Sequence, residues 1–251
     1  MSLTALYREP VLLDRNQHRG KRIRRLEHFG IAAKMNAGFL AATEFPEAAK
    51  EFVIGFITMA EKDEQGRPEV GPIALFGLRQ EENLFVGADG RWDARYVPAF
   101  VRRYPLAYSR SEGSEQYNVV VDAGWEGFND SDGELLVDAD GKATPFLDGM
   151  IKFMDAFEQE VQRTRILCRR IVDLDLLKPV QIDVTLPGGQ KLNAGGVRVV
   201  DEDKLKALPE ATSAELLRTG MLGLLYAHLL STSNVQRLTE RLAARLPQAA
   251  A

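Results

Sequence analysis

Three stretches between residues 44 and 105 decide the fold: EFPEAAKEFVIGFI (44–57), PIALFGLR (72–79) and ENLFVGADGRWDARYVPAFVRRYP (82–105). Short apolar runs alternate here with turns rich in Gly, Asp and Pro. Apolar runs of this length between such turns are typical of β-strands. The stretch therefore predicts a three-stranded antiparallel meander, with strands at 52–58, 72–78 and 84–86.

The sequence on either side extends this pattern. Small and apolar residues flank Asn36, which predicts a β-hairpin over 26–42. Pro46 suits the first turn of a short helix. Residues 95–103 predict one or two helical turns that end before Pro105, because proline disfavours a helical residue before it. Further strands are predicted at 106–109 and 117–122.

The C-terminal half has helical periodicity. Thr144 offers an N-cap oxygen before Pro145, and apolar residues then recur every three or four positions as far as Val161. A second helical piece is predicted over 164–177, followed by a hairpin over 181–200.

The last part of the chain predicts two more helices. Thr212 and Glu215 have the spacing of a capping box, which predicts that a helix begins there. In that helix Leu217 and His228 fall on one apolar face, and residues 231–234 separate it from a final helix.

These elements predict an α+β fold, an antiparallel sheet of short strands packed by helices that come mainly from the C-terminal half. We expect a single domain over 1–251, with mainly strands in 1–142 and mainly helices with one hairpin in 143–251. A chain of this length buries roughly three quarters of its unfolded surface, which is enough for a substantial core.

Composition limits the class of function. The net charge of −4 argues against general binding of nucleic acid, since a phosphate backbone selects a basic surface. The single cysteine, Cys168, excludes an internal disulfide and every cluster of several thiolates. No signal peptide is readable, and the most apolar helical run, 220–230, is too short to span a bilayer. We expect a cytoplasmic protein with no membrane span, and export by another route stays open.

Charge is distributed unevenly. A basic region covers residues 15–25, and an acidic region covers residues 122–140. The basic region suits phosphate, an acidic polysaccharide or an acidic partner, or else it is simply a solvated surface. The basic and acidic regions of two copies could also pair, which would give a homo-oligomer.

Motifs for catalysis and metal binding are missing from the sequence. NDSDG (129–133) and DADG (138–141) resemble calcium loops only superficially, because Phe128 or Leu136 would occupy the first ligand position. The three histidines, His18, His28 and His228, form no metal-binding motif. GxSxG, Walker and GxGxxG motifs do not occur. The sequence thus predicts no catalytic residue, no metal site and no cofactor.

Two groups of residues are candidates for a site. Aromatic residues and arginines that alternate around Pro98 and Pro105 predict a binding surface, because such side chains can stack on a partner and donate hydrogen bonds to it. Its members are Trp92, Tyr96, Arg102, Arg103 and Tyr104, with Phe100 between them. The alternative is a connector packed at the edge of the core. Glu44 and His228 are candidates for a pocket, although a hydrogen-bonded core histidine is the alternative for His228.

Several of these segments resemble the bacterial SapC-like family. The resemblance is carried by the EF and AA pairs of 44–49, by FVIGF, ALFGL and ENLFV, by Trp92 with YVPAFVRRYP, and by VRVVDEDKLKAL (197–208) and YAHLLS (226–231). The family is named after a protein associated with a bacterial surface layer. Its genes often lie near outer-membrane receptors and flavin-dependent halogenases. The resemblance assigns no catalytic residue.

We therefore expect a non-catalytic accessory or binding protein that acts on a protein partner or a nutrient-uptake system. A small-molecule-binding protein or an enzyme built from scattered polar residues is the alternative. A surface-layer component is a third hypothesis.

Overall fold

The computed structural model describes residues 6–62, 65–110, 116–186, 189 and 191–246. The strands are β1 (Pro10–Leu12), β2 (Arg22–Ile23), β3 (Ala37–Phe39), β4 (Val53–Lys62), β5 (Pro68–Leu75), β6 (Leu106–Arg110), β7 (Tyr117–Asp122), β8 (Phe128–Asn129), β9 (Glu134–Leu135), β10 (Leu177–Thr185) and β11 (Lys191–Val200). The helices are α1 (Phe45–Ala48), α2 (Ala99–Arg102), α3 (Pro145–Asp173), α4 (Glu202–Lys206), α5 (Glu210–Arg218), α6 (Met221–Ser231) and α7 (Val235–Ala244). Single 3-10 turns cover Gly30–Ala32, Ala42–Glu44 and Thr232–Asn234.

The strands form three antiparallel sheets. The largest has five strands in the order β10-β11-β4-β5-β3, and two three-stranded sheets have the orders β1-β7-β6 and β8-β2-β9. The longer helices, α3, α6 and α7, lie in the C-terminal half. The structure therefore confirms the predicted α+β fold with antiparallel sheets.

Strands β4 and β5 form the centre of the large sheet, as the sequence predicts. They pair from Val53 opposite Leu75 to Thr58 opposite Val70. The hairpin of β10 and β11 joins on one side, where Arg198 lies opposite Phe56, and β3 joins β5 on the other side. Pro179 lies in β10 at the edge of this sheet, where proline is tolerated.

Two glycines of the central stretch are required by close packing. A Cβ atom at Gly55 in β4 would lie 2.4 Å from Cγ1 of Val197 in β11. A Cβ atom at Gly77 would lie 2.0 Å from the carbonyl oxygen of Glu82, which belongs to the backbone and cannot move aside cheaply. These contacts explain the glycines of FVIGF and ALFGL.

Helix α3 packs on two hydrophobic clusters. Leu147 and Met154 belong to the smaller cluster, which also contains Ile23 of β2, while Phe157 and Leu167 belong to the main core. One helix thus serves both cores, as a single domain requires. The single-domain organisation over 1–251 stays a prediction.

The predicted hairpin over 26–42 is wrong in its first half. Only β3 is a strand there, and it pairs with β5, whereas Gly30–Ala32 is a 3-10 turn. Asn83 explains the difference: its side-chain amide donates to the carbonyl of Ala32 over 3.0 Å, and its backbone N–H donates to Ala33 over 2.9 Å. The carbonyls of Ala32 and Ala33 therefore accept hydrogen bonds from Asn83, which is distant in the sequence, and not from a second strand of a hairpin.

The third strand of the predicted meander is also wrong. Residues 84–86 contribute only an isolated bridge, between Val86 and Trp92. Strand β3 pairs with β5 on that side instead, and β3 precedes both β4 and β5 in the chain.

The predicted break in the long helix does not occur. Helix α3 runs without interruption from Pro145 to Asp173, and Thr144 caps it as predicted. Thr164 lies at the predicted break, but its hydroxyl donates to the carbonyl of Glu160 over 2.6 Å and accepts the N–H of Ala42 over 2.9 Å. Both bonds satisfy the buried hydroxyl of Thr164 within the unbroken helix.

The helices after β11 begin and end differently from the prediction. Helix α5 begins at Glu210, before the expected capping box, and Glu215 pairs with Arg170 of α3 instead. Gly220, at φ +78°, then separates α5 from α6. Leu217 is consequently 67% exposed and does not share the buried face of His228.

Candidate binding site

Trp92 lies in an aromatic cluster at the edge of the core. Its ring centroid lies 5.7 Å from Phe29, 6.2 Å from Phe52, 5.3 Å from Phe76 and 6.4 Å from Phe85. The indole N–H donates to the carbonyl of Tyr96 over 2.9 Å, and the ring stays partly exposed. The cluster fixes the orientation of Trp92 while one part of the ring faces solvent.

Glu44 is buried beneath this region and is fully engaged in hydrogen bonds. Its carboxylate accepts the backbone N–H groups of Ala41 over 2.9 Å and Ala99 over 2.7 Å. It also accepts the hydroxyl of Tyr96 over 2.7 Å. Burial, followed by the interaction with Glu44, raises the pKa of Tyr96. Glu44 thus ties Tyr96 and the start of α2 to the turn before α1.

The neighbouring arginines of the predicted surface point in different directions. Arg102 is exposed, and its guanidinium lies 5.8 Å from the ring of Tyr96 and 5.3 Å from the ring of Phe153. Arg103 is buried, 4.6 Å from the ring of Phe100, and burial lowers its pKa.

Tyr104 is buried as well. Its hydroxyl donates to Asp122 over 2.8 Å. Burial, and then this carboxylate, raises the pKa of Tyr104. The predicted residues therefore divide into two sets: Trp92, Tyr96 and Arg102 reach the surface, while Arg103 and Tyr104 pack inside.

A surface cleft of about 590 Å³ opens beside Trp92, and we call it the Trp92 cleft. It is lined by Glu47, Lys50, Glu51, Trp92, Asp93, Ala94, Arg95, Tyr96 and Arg237. Glu51 organises one wall, because its carboxylate accepts the N–H of Arg95 over 2.8 Å and lies 3.4 Å from Arg237. The cleft combines two aromatic side chains with charges of both signs.

A second depression, of about 270 Å³, lies on the other side of Arg102, and we call it the arginine groove. It is lined by Ile23, Arg24, Arg25, Leu26, Phe29, Arg102, Tyr104, Pro105, Leu106, Phe146 and Met150. The ring centroid of Phe29 in the groove lies 5.7 Å from that of Trp92 in the cleft. The guanidinium of Arg102 in the groove lies 5.8 Å from the ring centroid of Tyr96 in the cleft. The two depressions are therefore neighbours.

His228 lies away from both depressions and is fully buried in α6. Its Nε2 accepts the N–H of Val200 over 3.0 Å, and its ring lies 5.0 Å from Phe56. Burial lowers its pKa to about 4, and the backbone of Ile54 opposes that shift only in part. Glu44 and His228 line neither the Trp92 cleft nor the arginine groove, so these two depressions do not bring the pocket candidates together.

The basic and acidic regions meet within one chain. Lys21 pairs with Asp130 at 2.8 Å, and Arg24 pairs with Asp132 at 2.9 Å. The side chain of Arg22 donates to the carbonyl of Gly133 over 2.8 Å. The predicted contact between two copies stays a prediction, and these intramolecular pairs compete with it.

Sequence reasoning missed much of both depressions. Arg237 comes from α7, and Phe146 and Met150 come from α3, so no local spacing connects them with Trp92. Arg95 and Lys50 lie in the central stretch, but they carry no motif. Two local signals pointed to part of the depressions: the alternation of aromatic residues and arginines indicated Trp92, Tyr96 and Arg102, and the basic region 15–25 contains Arg24 and Arg25 of the groove.

In the described part of the chain, no three His, Cys, Asp or Glu side chains are grouped so that they could hold a metal ion. No helix among the described residues is long and apolar enough to cross a membrane.

The fold and the two depressions define an α+β protein with a mixed aromatic and charged surface cleft. The family model for SapC matches residues 13–238. The chain therefore belongs to the SapC family. No curated protein and no solved structure matches the chain significantly.

Proposed function

We propose that this SapC-family protein is a non-catalytic accessory protein that binds a protein partner through the Trp92 cleft. The observation that carries the proposal is the composition of the cleft, where Trp92 and Tyr96 lie beside Arg95 and Arg237. Tryptophan, tyrosine and arginine are the residues most enriched at the energetic centres of protein interfaces.

The rigidity of the cleft supports the same proposal. The indole of Trp92 is held by its bond to Tyr96, and Tyr96 is held by Glu44. Side chains fixed before binding lose little conformational entropy in a complex, which favours affinity. Arg102 completes this surface at the side that faces the arginine groove.

The contacts of Glu44 and His228 favour binding over pocket chemistry. Glu44 accepts three hydrogen bonds from the protein itself, and His228 has no exposed surface. A general acid or base must be within hydrogen-bond reach of a substrate. Neither residue lines the Trp92 cleft or the arginine groove.

We place the partner in an envelope or nutrient-uptake system, on the strength of the genes that lie near those of relatives. We propose the cytoplasm as the site of action, because the only cysteine, Cys168, is a buried free thiol, as suits a reducing compartment.

The test is affinity capture of the tagged protein from separated cytoplasmic and envelope fractions of its host, followed by native mass spectrometry. We expect a stoichiometric protein partner with the wild-type chain. Arg95→Glu should reduce its recovery at least about tenfold, because charge reversal inside a desolvated interface costs more than about 1.4 kcal/mol. Trp92→Phe, which keeps an aromatic ring, should reduce recovery less.

Arg218→Glu is the matched control. Arg218 is an exposed arginine of α5 outside both depressions, so its reversal should leave recovery unchanged. Equal recovery by Arg95→Glu and wild type would reject the cleft as the contact surface. A chain recovered alone, or with an unexplained small-molecule mass, would favour the small-molecule-binding alternative.

A further inference from the structure

The arginine groove carries a one-sided charge. Among the described residues, its lining contains Arg24, Arg25 and Arg102 and no carboxylate. The side chain of Arg25 makes no hydrogen bond or ion pair with the described residues. Arg24 pairs with Asp132, but both are largely exposed, and such pairs contribute little. The positive charge at this rim is therefore suited to bind a carboxylate of another molecule.

The floor of the groove is apolar. Leu26, Phe29, Phe146 and Met150 are only partly buried there, so their uncovered surface remains in contact with water. Covering apolar surface contributes about 25 cal/mol per Å². An apolar side chain seated on this floor would leave flanking carboxylates close to the arginines.

The size and position of the groove favour a side chain over an independent ligand. Its volume of about 270 Å³ is below that of most sites that enclose a whole small molecule, which run from roughly 300 to 1,000 Å³. The groove also adjoins the Trp92 cleft through the contacts of Phe29 with Trp92 and of Arg102 with Tyr96. An extended chain can follow both depressions.

We infer that the arginine groove binds an apolar residue flanked by aspartate or glutamate, within an extended segment of the partner that continues into the Trp92 cleft. This inference rests on the proposed function and names the chemistry of the partner. Charged groups at a rim steer association and select the partner, while the apolar anchor provides affinity.

The test is selection of binders to the full chain from a random-peptide display library, followed by fluorescence anisotropy of the most enriched peptide. We expect Leu, Ile or Phe next to Asp or Glu in the selected peptides. Arg25→Glu combined with Arg102→Glu should weaken binding at least about tenfold and shift a repeated selection toward basic peptides. Affinity for the wild type should fall as salt rises, since exposed charges are screened.

Three further variants separate the outcomes. Arg25→Glu alone tests the rim without removing a hydrogen bond or ion pair among the described residues, Met150→Glu tests the floor, and Arg218→Glu should match wild type. Selected peptides without acidic residues, or equal affinity for the charge-reversed chain, would overturn the inference.

The proposed function is tested separately by Arg95→Glu. If that variant abolishes peptide binding and the groove variants do not, the proposed function stands and this inference fails. If no peptide is selected, or none responds to the groove variants, this inference fails, while the affinity capture with Arg95→Glu still decides the proposed function. Binding of decanoate with the same dependence on Arg25 and Arg102, in the absence of peptide binding, would assign the groove to a small carboxylate and overturn the inference.

Discussion

His228 shows how a buried polar side chain can serve the fold. Because its Nε2 accepts the N–H of Val200, the neutral ring carries its proton on Nδ1. That nitrogen has no hydrogen bond of normal geometry to a described residue. Charging the ring would place a cation in a site that water does not reach, so burial lowers its pKa to about 4, well below the ordinary 6.5.

This low pKa predicts a loss of stability on mild acidification. Between pH 6.5 and 4 the unfolded chain binds a proton at this residue and the folded chain does not, so stability falls as pH falls. We expect the free energy of unfolding to fall by about 2 kcal/mol between about pH 7 and 5 because of this residue. Urea unfolding across that range should show the slope in wild type and a flatter profile in His228→Gln, whose amide oxygen can still accept the bond from Val200. Equal slopes in the two proteins would contradict the assignment.

At the scale of elements, the short strand β1 depends on one carboxylate at the end of β7. Asp122 is fully buried and accepts the backbone N–H groups of Arg8 over 3.0 Å and Glu9 over 2.8 Å. It also accepts the hydroxyl of Tyr104 over 2.8 Å. Burial alone would raise the pKa of Asp122, but these hydrogen bonds outweigh it and the pKa is lowered. The ionised form therefore stabilises the fold.

Asp122→Asn should reduce the free energy of unfolding at pH 7 by about 2 kcal/mol, because an amide NH₂ would replace one of the accepting oxygens and face N–H donors. Urea unfolding measures the loss, and hydrogen exchange should accelerate at the amides of Arg8 and Glu9. Asp130→Asn is the control: Asp130 is 76% exposed and pairs with Lys21 alone among the described residues, so its removal should change stability by less than about 0.5 kcal/mol. Equal effects of the two substitutions would remove the anchoring role of Asp122.

The same elements show what sequence could predict. The start of α3 was predictable because Thr144 and Pro145 act locally, and the β4–β5 pair was predictable from its alternating runs and turns. The continuation of α3 past Thr164 was not, since it involves the N–H of Ala42, 122 positions away in the sequence. The pairing of β3 with β5 was not predictable either, because no local sequence pattern indicates it.

At the scale of the whole molecule, the candidate site is likewise predictable from sequence only where its residues are neighbours in the chain. Trp92, Tyr96 and Arg102 come from one segment, and their composition marked them as a surface. Arg103 and Tyr104 are buried instead, because α3 and β7 pack against this segment, and their role in binding stays a prediction. Arg237 lines the cleft and Met150 lines the floor of the groove. Both are distant from Trp92 in the sequence, so only the folded structure brings them to the site.

The arrangement of charge over the whole molecule yields the last prediction. Lys21 and Arg24 already pair with Asp130 and Asp132 of the same chain, so the basic and acidic regions need no second copy to neutralise each other. We expect the same sedimentation coefficient in about 0.01 M and about 1 M salt, although the screening length falls from about 30 Å to about 3 Å between them. Asp130→Lys combined with Asp132→Lys, which breaks the internal pairs, is the comparison and should also remain at the mass of one chain. A wild-type chain that grows heavier only at low salt would instead support the predicted contact between two copies, because only an intermolecular pairing of these regions would be lost by screening.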